Sequence, residues 1–209
     1  MSDAPDEPLE HYFSAEPSGA FESREIAVEL GGTEYRVETA GGVFSPEHID
    51  AGTAALLRFV DAAPPNGNLL DLGCGWGPLA LTMALESPTA RVFAIDINQR
   101  SLELTRRNAE RLGCPNIVAS TPDKMDPAVR FDAIWTNPPI RIGKEALHAI
   151  MRQWLPRLNP GGQAWIVIAK HLGADSFEKW LATEFVKSHR IERVDTYKGF
   201  RVLRAVAVG

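Results

Sequence analysis

At 209 residues, with 44% hydrophobic and 23% charged side chains, the chain has the make-up of a soluble globular protein and is long enough to bury a core. No apolar run approaches a membrane span, and the acidic start Met1-Ser2-Asp3-Ala4-Pro5-Asp6-Glu7 is the opposite of a signal peptide. Two cysteines, Cys74 and Cys114, cannot build a disulfide framework or a four-cysteine zinc site, so the expectation is no metal and a reducing cytoplasm. The net charge of −5 argues weakly against a nucleic-acid partner, but it is unevenly spread. Residues 1–61 carry three basic and thirteen acidic side chains, whereas residues 62–209 carry nineteen and fourteen. A basic domain behind an acidic front can still present a positive face.

In chain order, residues 1–20 read as a flexible acidic tail with prolines at 5, 8 and 17 and one apolar island, His11-Tyr12-Phe13. Two period-two runs, Ile26-Val28-Leu30 and Tyr35-Val37, flank Gly31-Gly32 and predict a β-hairpin. Asp50 is placed to cap a helix reaching about Val60. Tail and hairpin form an extension over residues 1–45, and residues 46–209 form the main domain. That domain alternates. Strands are expected at 68–73, 91–96, 117–119, 131–136 and 164–169. Helices follow at 78–86, 99–112 and from Gly143 to a break at Pro156. Asn159-Pro160-Gly161-Gly162 reads as the turn into the fifth strand. Asp175-Ser176-Phe177-Glu178 reads as a capping box opening a last helix. Strands at about 191–196 and 200–208, joined by Lys198-Gly199, close the chain as an antiparallel hairpin. The fold class is therefore α/β, a doubly wound, mostly parallel seven-stranded sheet with one reversed strand.

The stretch Asp71-Leu72-Gly73-Cys74-Gly75-Trp76-Gly77 joins the first strand of that sheet to its helix. Its glycines allow a tight turn and a close-approaching ligand, at the carboxyl edge where such sheets bind their ligands. The spacing is not that of the dinucleotide fingerprint, and no Lys-Ser or Lys-Thr follows to make a P-loop. Asp96 ends the next strand, 25 residues after Asp71, where a carboxylate accepts hydrogen bonds from vicinal ribose hydroxyls; its plain alternative is a helix cap. Asn137-Pro138-Pro139-Ile140 ends the fourth strand, where two prolines stop pairing and stiffen the backbone. Cys74 reads as a small buried apolar residue rather than a nucleophile.

The first of these stretches resembles motif I, and Asn137-Pro138-Pro139-Ile140 resembles motif IV, of the class I S-adenosylmethionine-dependent methyltransferases that modify planar nitrogens. The stretches from Gly42 to Ser45, Asp50 to Thr53, Arg130 to Ile134 and Gly199 to Val202 are similar to the catalytic domain of the bacterial small-ribosomal-subunit guanine-N2 methyltransferases. The resemblance covers about residues 42–208. It implies S-adenosyl-L-methionine as cofactor, with S-adenosyl-L-homocysteine as product. Phe44, Asp71, Gly73, Cys74, Gly75, Gly77, Asp96, Ile97 and Asn137 would stand against the cofactor, with Ser120 or Asp123 near its adenine. It implies that the Asn137 side-chain oxygen and the Pro138 carbonyl, on the rigid Pro138-Pro139 step, accept the hydrogens of an exocyclic amine. The positive charge growing on that nitrogen is stabilised there, and the methyl passes by direct in-line transfer. The expected partner is rRNA or the small ribosomal subunit, held by Arg141, Lys144, Lys170 and His171 through phosphates; no membrane is expected, and a monomer is favoured. Ile140 departs from the family's aromatic stacking residue. The alternatives are methylation of a protein or small-molecule amine or amide, and an inactive methyltransferase-fold binding module. A nicotinamide dehydrogenase is disfavoured by the glycine spacing.

Overall fold

The computed structural model describes residues 21–139 and 142–209. The expected tail of residues 1–20, with its His11-Tyr12-Phe13 island, and the positions Ile140 and Arg141 lie outside the described residues.

Strands β1 (Ser23–Leu30) and β2 (Thr33–Ala40) pair antiparallel, with Leu30 opposite Thr33. The turn rests on Gly31 and Gly32 at φ 56° and 80°, the doubly left-handed conformation that a two-residue hairpin demands. The buried residues of the hairpin, Val28, Leu30, Val37 and Ala40, belong to the same apolar cluster as the sheet and helices that follow. Asn108 fixes it in place: its side chain accepts from the Glu38 N–H and donates to the Glu38 carbonyl.

Helix α1 (Ala51–Phe59) begins at Asp50, whose carboxylate accepts from the backbone N–H groups of Gly52 and Thr53. Then β3 (Asn68–Leu72), α2 (Pro78–Glu86), β4 (Arg91–Ile95), α3 (Gln99–Arg111) and β5 (Ile117–Ser120) alternate. They are followed by β6 (Phe131–Thr136), α4 (Lys144–Trp154), β7 (Leu158–Ala169), α5 (Ala174–Glu184), β8 (His189–Tyr197) and β9 (Phe200–Ala207). The sheet order is β5-β4-β3-β6-β7-β9-β8, parallel except for β9, which runs against both of its neighbours. Its central strands β3 and β6 are buried on both faces: Leu69, Ala133 and Trp135 point into one apolar cluster, and Leu70, Phe131 and Ile134 into the other. That explains their near-continuous apolar runs. The chain lays β4 and β5 on one side of β3, then returns to place β6 on the other. The crevice at this switch in direction is where sheets of this kind take ligands.

Two local expectations need correction, and one alternative is set aside. Strand β7 starts at Leu158, not 164: Leu158 pairs with Phe131, and the register then jumps before Gln163 pairs with Ala133. Asn159-Pro160-Gly161-Gly162 is thus an irregular strand entry rather than a separating turn. A Cβ at Gly162 would lie 2.9 Å from the Asn159 carbonyl oxygen and 3.0 Å from that of Phe131, so only glycine lets the strands meet there. Helix α5 has no capping box. Gly173, at φ 90°, is its cap residue, and Arg201, a buried guanidinium, takes the carboxylates of Asp175 and Glu178 instead. Asp96 does not cap α3; Asn98 does, accepting from the N–H groups of Arg100 and Ser101.

Among the described residues no helix is long and apolar enough to cross a membrane, and no three His, Cys, Asp or Glu side chains converge as a metal site.

Candidate active site

The site begins where β3 runs out. Gly73 and Cys74 leave the strand with their N–H groups donated to the Ile95 carbonyl, so the turn is pinned to the end of β4. Gly73, Gly75 and Gly77 all have positive φ, at 81°, 56° and 99°. They differ in what surrounds them. A Cβ at Gly77 would press on Thr105 at 3.1 Å, so that glycine serves packing of α2 on α3. A Cβ at Gly75 would meet no atom of the described residues within 4 Å, so that glycine keeps space open beside the turn.

Two carboxylates flank the turn. Asp71 is buried, and one of its oxygens accepts from the Ala80 N–H at 2.9 Å. Its other oxygen, Oδ1, has no hydrogen-bond partner among the described residues. Burial pushes its pKa up to about 8, and the negative charge of Asp96 adds to that against the Ala80 hydrogen bond. Asp96 accepts from Gly75 N–H through Oδ2 and from Asn98 N–H through Oδ1, both at 2.9 Å. Burial raises its pKa, and these backbone donors oppose the rise. Cys74 is buried, and its thiol is held far from ionisation by burial and by the charges of Asp96 and Asp71. That leaves it no thiolate with which to act as a nucleophile.

A strap of residues crosses in front. Asn98 donates to the Gly42 carbonyl, Arg100 to that of Gly41, and the buried indole of Trp76 to that of Ser45. These bonds hold Phe44, 48% exposed, at the mouth of the cleft.

The far wall comes from β6. Thr136 donates its hydroxyl to the Leu72 carbonyl at 2.7 Å, which levels the ends of β3 and β6 and sets Asn137 beside Gly73. The Asn137 carbonyl oxygen would be 3.9 Å from a Cβ on Gly73. The Asn137 side-chain amide nitrogen donates to Asp50 Oδ2 at 2.8 Å and to Thr53 Oγ1 at 3.1 Å, both on the first turn of α1.

Of the residues singled out in the sequence, Phe44, Asp71, Gly73, Cys74, Gly75 and Asn137 line one cleft. Asp96 reaches it through Gly75, while Gly77 is turned to α3. Pro138 is buried, and Pro139 accepts from the Ile142 N–H. Ile97 is 48% exposed after β4. Ser120 ends β5 and bonds its neighbour's carbonyl, and Asp123 is exposed on the turn beyond. Lys144, Lys170 and His171 are exposed at the same edge of the sheet, at the start of α4 and just past β7, and do not line the cleft. Sequence reasoning missed Asp50 and Thr53 as cleft residues. Asp50 announces itself as a helix cap, and nothing local says that it also meets Asn137.

A seven-stranded sheet with one reversed strand, a glycine turn flanked by two carboxylates and an asparagine facing that turn define an S-adenosylmethionine-dependent methyltransferase of class I. The chain belongs to the methyltransferase small domain family, which matches residues 34–204. An uncharacterized Bacillus subtilis protein, YbxB, is 34% identical over 95% of this chain and 99% of its own length. The ribosomal RNA small subunit methyltransferase C of Klebsiella pneumoniae is 33% identical over 63% of this chain, a match that spans only 39% of that protein. In fold, the chain is similar to the T. thermophilus 16S rRNA N2 methyltransferase RsmC, whose structure is a complex with AdoMet and guanosine. The TM-score is 0.75 at 24% identity, over 91% of this chain and 52% of that one.

Proposed function

We propose that this chain transfers a methyl group from S-adenosylmethionine to an exocyclic amine of an rRNA base, with guanine N2 as the acceptor. The observation that carries this reading is the meeting of Asn137 with the glycine turn in one cleft, across the switch between β3 and β6. The family relatives named for rRNA methylation, and the similar fold that holds AdoMet and guanosine, point the same way.

The cleft suits the cofactor on its own chemistry. Asp71 Oδ1 is a buried acceptor with no donor among the described residues, which suits an ammonium group. The Asp96 carboxylate is held by the backbone N–H groups of Gly75 and Asn98, and its two oxygens have lone pairs enough to accept ribose hydroxyls as well. Gly75 leaves room for close approach. When bound, S-adenosylmethionine supplies an electrophilic methyl group. This chain's residues then have to hold the acceptor nitrogen in line and make it a better nucleophile. An exocyclic amine on a base has its lone pair delocalised into the ring. Acceptors aimed at its hydrogens, Asn137 Oδ1 and the Pro138 carbonyl, favour the pyramidal nitrogen and the positive charge of the transition state. The Pro138-Pro139 step keeps the backbone acceptor from following the ground state. The proton leaves to water afterwards. Exposed Lys144, Lys170 and His171 supply contacts to phosphates beside the cleft. Arg141 and Ile140 complete the expected set.

Small ribosomal subunits purified from a strain lacking this gene test the reading. With labelled S-adenosylmethionine they should take label into 16S rRNA, as N2-methylguanosine on digestion. Label found only in protein would transfer the reading to protein amines or amides. No label in either, with S-adenosylhomocysteine still raising the Tm, would favour a binding module.

A further inference from the structure

The contacts of the Asn137 side chain say more than that it lies in the cleft. A carboxamide has one acceptor end and one donor end, and only the acceptor end helps an amine to react. Here both hydrogens of Nδ2 are committed to acceptors on α1, Asp50 Oδ2 at 2.8 Å and Thr53 Oγ1 at 3.1 Å. A flipped amide would set Oδ1 against the Asp50 carboxylate, two acceptors with no hydrogen between them, and would forfeit a charge-assisted hydrogen bond. We propose that Asp50 and Thr53 are positioning residues for methyl transfer. They lock the Asn137 amide with its oxygen toward the acceptor nitrogen, so that the cleft offers an acceptor and withholds a donor. This rests on the N-methyltransferase reading above.

The first turn of α1 is built for this contact. Asp50 Oδ2 accepts three N–H groups at once: Gly52 at 2.7 Å, Thr53 at 3.2 Å and the Asn137 amide. The cap that starts the helix therefore fixes the oxygen that fixes Asn137. Thr53 is buried, so its hydroxyl has a single surrounding to serve. Gly52 stands between them, a residue poorly suited to a helix interior. Its φ is not left-handed, so conformational freedom is not its reason for being there. Space is: a Cβ would lie 2.9 Å from Asp50 Oδ2, 3.1 Å from the Phe200 ring and 3.2 Å from Asn137 Nδ2. The glycine lets helix and amide approach. The lock also selects substrates. A ring carbonyl at the reacting position would face Asn137 Oδ1 with no hydrogen to share, whereas an amine brings its own.

The test is a cycle of Asp50→Ser and Asn137→Ala. Serine still caps a helix, so α1 and the Tm should survive, but a short hydroxyl engaged in capping no longer reaches Asn137. Asp50→Ser should lower kcat about 100-fold with KM for S-adenosylmethionine unchanged. In an Asn137→Ala background it should cost nothing further, because it acts only through Asn137. Equal losses in both backgrounds, or wild-type kcat in Asp50→Ser, would overturn the proposal. Thr53→Val keeps the backbone bond and removes only the hydroxyl; it should lower kcat less, again with no effect in the Asn137→Ala background. A second readout needs no substrate. The ¹⁵N-resolved side-chain NH₂ signals of Asn137 should exchange slowly with solvent in the wild type and rapidly in Asp50→Ser. Unchanged exchange sinks the lock, even if wild-type protein proves inactive on rRNA. Inactivity on rRNA with slow exchange that Asp50→Ser abolishes keeps the lock and sinks only the rRNA reading.

Discussion

The two walls of the cleft are made differently. On the β3–β4 side, the turn from Asp71 to Gly77 and the carboxylate of Asp96 are held by backbone bonds between adjacent strand ends, Gly73 and Cys74 to Ile95 and Gly75 to Asp96. On the β6 side, Asn137 is held by side chains from α1, 84 and 87 residues back in the chain. The first wall is a continuous piece of a parallel sheet and is set once the sheet forms. The second exists only when α1 docks against the end of β6. A wall of the first kind suits holding one ligand in a fixed pose. A wall of the second kind can be retuned by single side chains without disturbing the sheet, which is what selection among acceptors requires.

The largest expected effect breaks the second wall alone. Asn137→Ala should lower kcat by about 10²- to 10³-fold, the usual cost of losing one aligned transition-state hydrogen bond. Affinity for S-adenosylhomocysteine, read by calorimetry, should not change, since Asn137 is bonded to α1 and not to the glycine turn. A parallel loss of affinity would mean that the walls are not separable. The opposite break is Asp96→Ala. It removes two ribose acceptors and the carboxylate that holds the Gly75 N–H, so S-adenosylhomocysteine should bind about 100-fold more weakly. The Tm shift that saturating ligand gives the wild type should shrink accordingly.

The same contrast governs how much of the molecule was legible in the sequence. The first wall was legible because its residues are contiguous, and a glycine at every second position between Asp71 and an apolar helix has few other uses. The sheet was legible because strands buried on both faces cannot hide among polar segments. Asp50 reads as a cap, inside a stretch similar to a known catalytic domain. That reading stands, but its second contact joins segments that the topology brings together and no local pattern records. The Trp76 bond to Ser45 and the Asn108 bonds to β2 were hidden for the same reason. The errors in local reading share a cause as well. The Asp175–Glu178 pattern asks for a cap, but buried Arg201 from β9 claims both carboxylates. Pro160-Gly161-Gly162 asks for a turn, but pairing of Leu158 with Phe131 draws the segment into β7. In each case a distant partner overrode a local propensity.

A smaller effect sharpens the first wall. With its pKa raised from 3.8 to about 8, Asp71 is neutral in the free folded protein at pH 7 and ionised in the unfolded chain. Between those values the folded state holds the extra proton, so Asp71 lowers stability progressively as pH rises from about 4 to 8. Asp71→Asn, neutral at every pH, should raise the Tm of the free protein at pH 8. Binding should run the other way. An ammonium group against Oδ1 favours the ionised form, so S-adenosylhomocysteine should release a proton on binding below pH 8. Its affinity should climb by up to about tenfold per pH unit between pH 6 and 8. Asp71→Asn should abolish that climb. Calorimetry in buffers of different ionisation enthalpy reads the proton directly, and no release at pH 7 would remove Asp71 from the ligand's contacts.

The smallest effect lies outside both walls. Lys144 and Lys170 are exposed at the carboxyl edge, and neither lines the cleft. If they meet phosphates of rRNA, neutralising either should weaken RNA binding modestly and evenly across sequences, leaving kcat at saturating RNA untouched. The decisive readout is the salt dependence. Taking away one lysine–phosphate pairing should flatten the slope of log K against log salt by about 0.7 to 0.9. Lys144→Ala and Lys170→Ala should each remove about one such step, and the double variant about two, because the side chains sit on separate elements, α4 and the turn after β7. S-adenosylhomocysteine affinity should stay level throughout. A weakening with no change in slope would assign the lysines to packing of the rim, and the basic surplus of residues 62–209 would then need another explanation.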